Sequence, residues 1–292
     1  MKFNRTKLLK PISFSILGLI SINNFFAADA SLSTESQKQS YSMGVVVGKQ
    51  ILNSISQDDF NVDKSAFTEG LIDIINNKNI KLSNDEIQKN LLNFTRKQSE
   101  SYSSQVEEKA KSHVKELLNS KDVPVIGNPK ANFTIVEFFD YNCAHCKLMA
   151  KPLKQLIENN KDVKLLLRNY PIMGGNSNYA AKAVLWAALK KDNSAKYVKL
   201  HDSLLSHTAF LKKQDIDNII KTSGLDSKAL AKELNSMNIN KLIENNFKLA
   251  SELGLKGTPS MFFINDKTGK FKFISGEVTN EAELQKILDE LK

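Results

Sequence analysis

The chain has 292 residues, 41% apolar and 25% charged, with a formal net charge of +9. That length holds two domains and their connections, and the balance excludes collagen-like, wholly disordered and multiply membrane-spanning classes. A net +3 lies in the first thirty residues, and the remaining +6 is spread without a Lys/Arg block or basic-aromatic stripe, so no nucleic-acid partner is expected.

Lys2, Arg5, Lys7 and Lys10 precede an apolar run, Ile12 to Phe26, which ends at Ala28-Asp29-Ala30, a small-x-small cleavage pattern. The run is shorter than the roughly 20 residues a spanning helix needs, and Asn23-Asn24 interrupts it. Residues 1–30 therefore read as an export signal cleaved near Ala30, and the protein as periplasmic, with membrane association left open. No Cys follows the apolar run, so a lipid anchor is not expected. Export leads to an oxidising compartment, yet the sequence holds only Cys143 and Cys146. A bridge across so short a loop constrains the unfolded chain very little, which points to chemistry rather than stapling.

Glu35 to Ser56 has helical spacing, with Tyr41, Val45, Val46, Ile51 and Leu52 as an apolar stripe. Gly44 and Gly48, four apart on one face, permit close backbone contact. Phe67, Leu71, Ile74 and Ile75 mark a second short helix, and Ser83 with Glu86 forms a capping box opening a third. Neither Gly nor Pro occurs from Asn84 to Val123, which predicts a helix of about 55–60 Å if it is continuous. Its middle, Lys97 to Ser112, is mostly polar, with Tyr102, Val106 and Ala110 at four-residue spacing, and is predicted to be a solvated rod. Two short helices and one long one make too thin a core for a monomer, which invites a second copy of the chain.

This region resembles the N-terminal dimerisation domain of the Mip/FkpA family of exported prolyl isomerases. The residues that carry the likeness are Tyr41-Ser42-Met43-Gly44-Val45-Val46-Val47-Gly48-Lys49-Gln50, Phe67-Thr68-Glu69-Gly70-Leu71-Ile72-Asp73 and Leu82-Ser83-Asn84-Asp85-Glu86. The resemblance implies a homodimer formed through residues 31–85, followed by a linker helix over 86–121. No FKBP-like sheet sequence follows, so prolyl isomerase activity is not carried over.

From Val123 the pattern changes to a small α/β layer arrangement. Strands are predicted at Thr134 to Phe139, Val163 to Leu167, Ser260 to Ile264 and Phe271 to Ile274. A helix is predicted over Cys143 to Asn159, helical segments over about 178–254, and an amphipathic helix at Glu281 to Leu291. The second motif is Cys143-Ala144-His145-Cys146-Lys147. A structural zinc site needs about four ligands, and neither a second cysteine pair nor paired histidine spacing exists at His113, His201 and His207. Covalent haem attachment needs His where Lys147 stands. No metal or organic cofactor is expected, and a plain structural disulfide is the bland alternative.

For redox chemistry the placement has a physical cause. A strand delivers Cys143 to the first turn of a helix, where unpaired N–H groups and the dipole favour a thiolate. His145 can add positive charge or a donor, or else lie in solvent at the helix start. A stabilised thiolate is a good leaving group, so a Cys143–Cys146 disulfide would be oxidising. Cys146, one turn in, is expected to be more buried and to resolve.

Residues 122–292 resemble the DsbA-like branch of the thioredoxin superfamily. The likeness rests on Glu137-Phe138-Phe139-Asp140-Tyr141, Cys143-Ala144-His145-Cys146 and Gly257-Thr258-Pro259-Ser260-Met261-Phe262-Phe263-Ile264. It implies an α/β thioredoxin-like domain with a helical insertion, here preceded by an all-α dimerisation domain. It also implies that Cys143 is the attacked sulfur and that Cys146 resolves. Pro259 would be cis, and the Thr258 backbone would hydrogen-bond a substrate strand. Glu137 would be a buried acid that moves protons or tunes Cys146, the alternative being an edge-strand carboxylate in solvent. Pro152 would kink the active-site helix. Ala144 departs from the Pro common in DsbA-type oxidases, and Thr258 resembles the dimeric DsbC/DsbG isomerases. The expected activity is formation and isomerisation of disulfides in exported, cysteine-containing proteins, with a DsbB-like or DsbD-like membrane redox partner. A dedicated oxidase, or a dimeric chaperone with a non-essential disulfide, is the alternative.

Overall fold

The computed structural model describes residues 32–56, 62–119, 121–190, 194–234, 236–276, 278 and 280–292. The expected export signal, residues 1–30, lies outside them. No helix among the described residues is long and apolar enough to cross a membrane. The chain divides between Ile80 and Lys81 into two compact units.

The first unit holds α1 (Glu35–Ser56) and α2 (Lys64–Ile75). Asp63 opens α2 by accepting the N–H groups of Ser65 and Ala66 at 2.9 and 3.0 Å. Tyr41, Val45, Val46, Phe67, Leu71 and Ile74 are all exposed in the single chain. The apolar residues expected to need cover are therefore bare.

The second unit begins with α3 (Asn84–Ala110). Its capping box is formed: Ser83 N donates to Glu86 Oε2 at 2.8 Å, and Glu86 N donates to Ser83 Oγ at 3.3 Å. The helix does not run on to Val123. It stops at Ala110, and after a turn a short α4 (Val114–Leu117) follows. Side chains take over the backbone's acceptors at the break: Ser112 Oγ and His113 Nδ1 lie 3.1 and 3.0 Å from the Lys109 carbonyl oxygen. Beyond α4, Arg168 Nη2 donates to the carbonyls of Glu116, Leu117 and Asn119 at 2.6–3.3 Å, closing the helix end.

The second half of α3 is not a solvated rod either. Val106 and Ala110 are fully buried, and Tyr102 packs its ring edge-on against Phe273 at 5.7 Å. The Tyr102 hydroxyl accepts from Lys256 N at 2.9 Å, and Glu107 Oε1 accepts from Phe273 N at 2.8 Å. The four-residue stripe is a docking face, narrow enough that the polar residues around it hide it in the sequence.

Five strands form one mixed sheet, β1 (Val125–Gly127), β2 (Phe133–Phe139), β3 (Val163–Asn169), β4 (Ser260–Asn265) and β5 (Phe271–Ser275), in the order β1-β3-β2-β4-β5. β2 and β3 run parallel, and the other three pairings are antiparallel. β1 is absent from the sequence-based prediction, being three residues long after a proline. Gly127 is required there: its φ is +97°, and a Cβ would stand 2.9 Å from the Val163 carbonyl oxygen.

Helix α5 (Ala144–Asn159) joins β2 to β3, with Pro152 inside it. Five helices separate β3 from β4: α6 (Gly175–Leu189), α7 (Ser194–Ser206), α8 (Lys213–Thr222), α9 (Ser227–Glu233) and α10 (Met237–Leu253). α11 (Glu281–Asp289) closes the chain. Alternation along β2 splits the core in two. Phe133, Ile135 and Phe139 pack with α5, α6, α7 and α11, whereas Val136 and Phe138 pack with α3 and α10.

Candidate active site

The site is built where β2 ends and α5 begins. Glu137 is inside the sheet, opposite Leu167 of β3 and Met261 of β4, and only 3% exposed. The edge-strand alternative is thereby corrected: β2 is central, with neighbours on both sides. By alternation Glu137 shares the face of Ile135 and Phe139, the face covered by α5.

Asp140, Tyr141 and Asn142 make the turn into the helix. Asp140 Oδ1 accepts from Asn142 N at 2.7 Å, and its Oδ2 accepts from Met173 N at 2.8 Å. Asn142 clasps a residue of the helical insertion: its Oδ1 accepts from Leu211 N at 2.6 Å, and its Nδ2 donates to Leu211 O at 3.4 Å. The Tyr141 hydroxyl lies 2.9 Å from His201 Nδ1. Sequence reasoning gave Asp140, Asn142 and His201 no role here. Their partners lie 33 to 69 residues away, at separations that carry no periodic signal.

Cys143 is the N-cap residue of α5, with Cys146 one turn in. Cys143 keeps 7% exposure and Cys146 1%, so Cys143 is the sulfur nearer the surface. Both are free thiols. The Thr258–Pro259 peptide is cis, and Cys143 Sγ lies 3.1 Å from the Thr258 carbonyl oxygen, to which the thiol donates. The structure thus brings Cys143, Cys146, Thr258 and Pro259 together, with Glu137 behind them. The His145 side chain is exposed.

The electrostatics separate the two thiols. Cys143 is lowered to about 5, chiefly by a hydrogen bond from the Cys146 thiol. Burial opposes this, while the Thr258 side chain and the backbone N–H groups of Cys146 and His145 favour the thiolate. What reaches Cys143 from His145 in this account is its backbone N–H. Cys146 is driven far above the ordinary thiol range, first by burial, then by its bond to Cys143 and the nearby Glu137 charge. Burial raises Glu137 to about 8, with a further contribution from Cys143. One sulfur is an anion at neutral pH, its neighbour holds its proton, and a carboxyl near them exchanges a proton close to neutrality. Among the described residues one group of three could hold a metal ion, His113, Glu116 and Glu252, with ligand atoms within 4.8 Å of one another; it contains neither cysteine.

Comparison with known proteins agrees with this geometry. Residues 134–288 match the model of the DSBA-like thioredoxin domain, and residues 36–124 match the domain amino terminal to FKBP-type peptidyl-prolyl isomerase. Disulfide bond formation protein D of Bacillus subtilis is 26% identical over 163 residues, 51% of this chain and 71% of the relative. The thiol-disulfide exchange protein alpha-DsbA2 of Wolbachia pipientis superposes with a TM-score of 0.56 at 29% identity, covering 64% of this chain and 96% of the other. The catalytic domain of Proteus mirabilis ScsC gives a TM-score of 0.55 at 26% identity, covering 63% and 97%. With a nucleophile poised at the start of α5 and a family model spanning more than half the sequence, the chain belongs to the DsbA-like family of thiol–disulfide oxidoreductases, on a thioredoxin-like fold.

Proposed function

We propose that the protein forms and rearranges disulfides in exported, cysteine-containing proteins in the periplasm, as a homodimer joined through residues 31–85. The observation that carries the chemistry is the placement of Cys143: ionised at a helix start, the more exposed of the pair, and beside the Thr258 carbonyl. In oxidation, a substrate thiolate attacks Cys143 of the Cys143–Cys146 disulfide and Cys146 leaves as a thiolate that takes up a proton. A second substrate thiolate then attacks the substrate sulfur of the mixed disulfide, and Cys143 leaves as its stabilised thiolate. In isomerisation, the Cys143 thiolate attacks a wrong substrate bridge, releasing one substrate thiolate. Cys146 or a correct substrate thiol then resolves the mixed disulfide. Thr258 and Pro259 line the site, where the Thr258 backbone receives the substrate strand. A DsbB-like partner would reoxidise the pair, and a DsbD-like partner would reduce it.

The exposed apolar residues of α1 and α2 and the match over residues 36–124 support the dimer. The basic, apolar and small-residue order of the first thirty residues supports export. Two assays test the whole. Cys143→Ala is expected to abolish both thiol oxidation and refolding of a scrambled disulfide client; retention of client refolding would favour a chaperone. Deleting residues 31–85 is expected to keep thiol oxidation and lose rescue of the scrambled client. Equal rescue by the shortened chain would favour a dedicated oxidase whose dimer serves another end.

A further inference from the structure

Behind the cysteines a cavity of about 530 Å³ lies between α5, α7 and the β1–β3 edge of the sheet. Its walls include Leu153, Ile157, Leu165 and Leu205, and exposed Lys151, Glu158 and Val198 stand at its rim. Glu137 also lines it, although the residue is 3% exposed. His201 lines it with its Nδ1 against the Tyr141 hydroxyl, and Lys154 and Asp202 close an ion pair at 2.6 Å on its wall.

A buried carboxyl that accepts a proton in each cycle must also lose it, and apolar packing offers no carrier. A hydrated cavity does, because water needs only a few polar partners to remain in such a space. Resting on the exchange mechanism above, we propose that this cavity is the route by which a proton taken from Cys146 by Glu137 reaches solvent, with His201 and the Lys154–Asp202 pair as positioning residues along it.

The step balances. In the mixed disulfide, the Glu137 carboxylate takes the proton of the Cys146 thiol, and the Cys146 thiolate attacks Cys143 Sγ. The Cys143–Cys146 bond forms, the bond from Cys143 to the partner sulfur breaks, and its electron pair leaves with the partner thiolate. Glu137 then passes its proton to cavity water. While Cys143 carries the partner, its own negative charge is absent, which removes one of the causes holding Cys146 protonated. The charged or titratable groups around Glu137 come from three places. Cys143, Cys146, Lys147, Lys151, Lys154 and Glu158 stand on α5 or at its cap. Tyr197, His201 and Asp202 stand on α7, and Asp140 and Tyr141 on the catalytic turn. Burial holds His201 down to about 4, so it is neutral and its ring can pass a proton without holding a charge.

The test preloads Cys143 with glutathione and follows glutathione release by stopped flow. Val198→Trp at the rim and Ala150→Leu on the wall narrow the cavity without touching a reacting group. Both are expected to slow release at least about tenfold, with the reduction potential and the Cys143 titration unchanged. Neither is expected to slow Glu137→Gln further, since that variant no longer uses the route. Release at the wild-type rate from both variants would overturn the route alone, as would equal slowing in the Glu137→Gln background. Release from Cys146→Ala as fast as from the wild type would overturn the route together with the mechanism beneath it. In the unmodified protein, the infrared band of the protonated Glu137 carboxyl is expected to shift within seconds of transfer to deuterium oxide. Persistence of that band for hours would overturn the route without any variant.

Discussion

A carboxyl on the apolar face of a central strand costs stability whenever it is charged, and Glu137 is such a group. Its folded value of about 8 lies above the roughly 4.3 of an unfolded glutamate. Between those values the folded chain holds a proton that the unfolded chain releases, so this contribution falls as pH rises from about 4.3 to 8. Glu137→Gln is therefore expected to stabilise the reduced protein at pH 7 by about 2–3 kcal/mol, with the gain vanishing below pH 4, as read from denaturant unfolding at both pH values. Cys143 has the opposite sign: its folded value lies below that of an unfolded thiol, so its contribution is complete above about pH 8.5 and is lost as pH falls through about 5. Asn142 tests the clasp on Leu211. Asn142→Ala leaves a buried N–H without its acceptor, and a loss of about 1–3 kcal/mol is expected, with faster amide exchange at Leu211. The reacting residues were legible because Cys143, Cys146 and the Thr258-Pro259 pair sit in short contiguous motifs. Asn142 and His201 were not, because each acts through a partner that only the folded chain brings near.

Among the elements, the strands β2 and β4 were legible as continuous apolar runs, which a strand buried on both faces requires. The strand β1 and the break after Ala110 were not. Three residues make no period, and the break comes from Ser112 and His113 competing for a carbonyl, in a stretch whose residue types are otherwise helix-compatible. The docked half of α3 gives the sharpest test of an element. Val106 is 1% exposed, and Val106→Ala is expected to cost about 2 kcal/mol in the stability of the second unit. A helix standing free in solvent would lose almost nothing. Limited proteolysis of Val106→Asp is expected to open α3 to cleavage between Tyr102 and Ala110 while the sheet stays intact.

For the whole molecule, the apolar residues are distributed unevenly. The second unit buries its own on both faces of the sheet, whereas α1 leaves Tyr41, Val45 and Val46 exposed. Such a face is costly in water and is covered by a second copy in the proposed dimer. Val46→Glu is accordingly expected to yield monomers by light scattering, with thiol oxidation retained. The central claim is that the protein holds one sulfur ionised where a strand turns into a helix. Its most direct test is the ultraviolet thiolate absorbance of the reduced protein followed across pH, since Cys146 titrates far outside the accessible range. A single transition near pH 5 is the expected result. A transition near the roughly 8.5 of an ordinary thiol would contradict it.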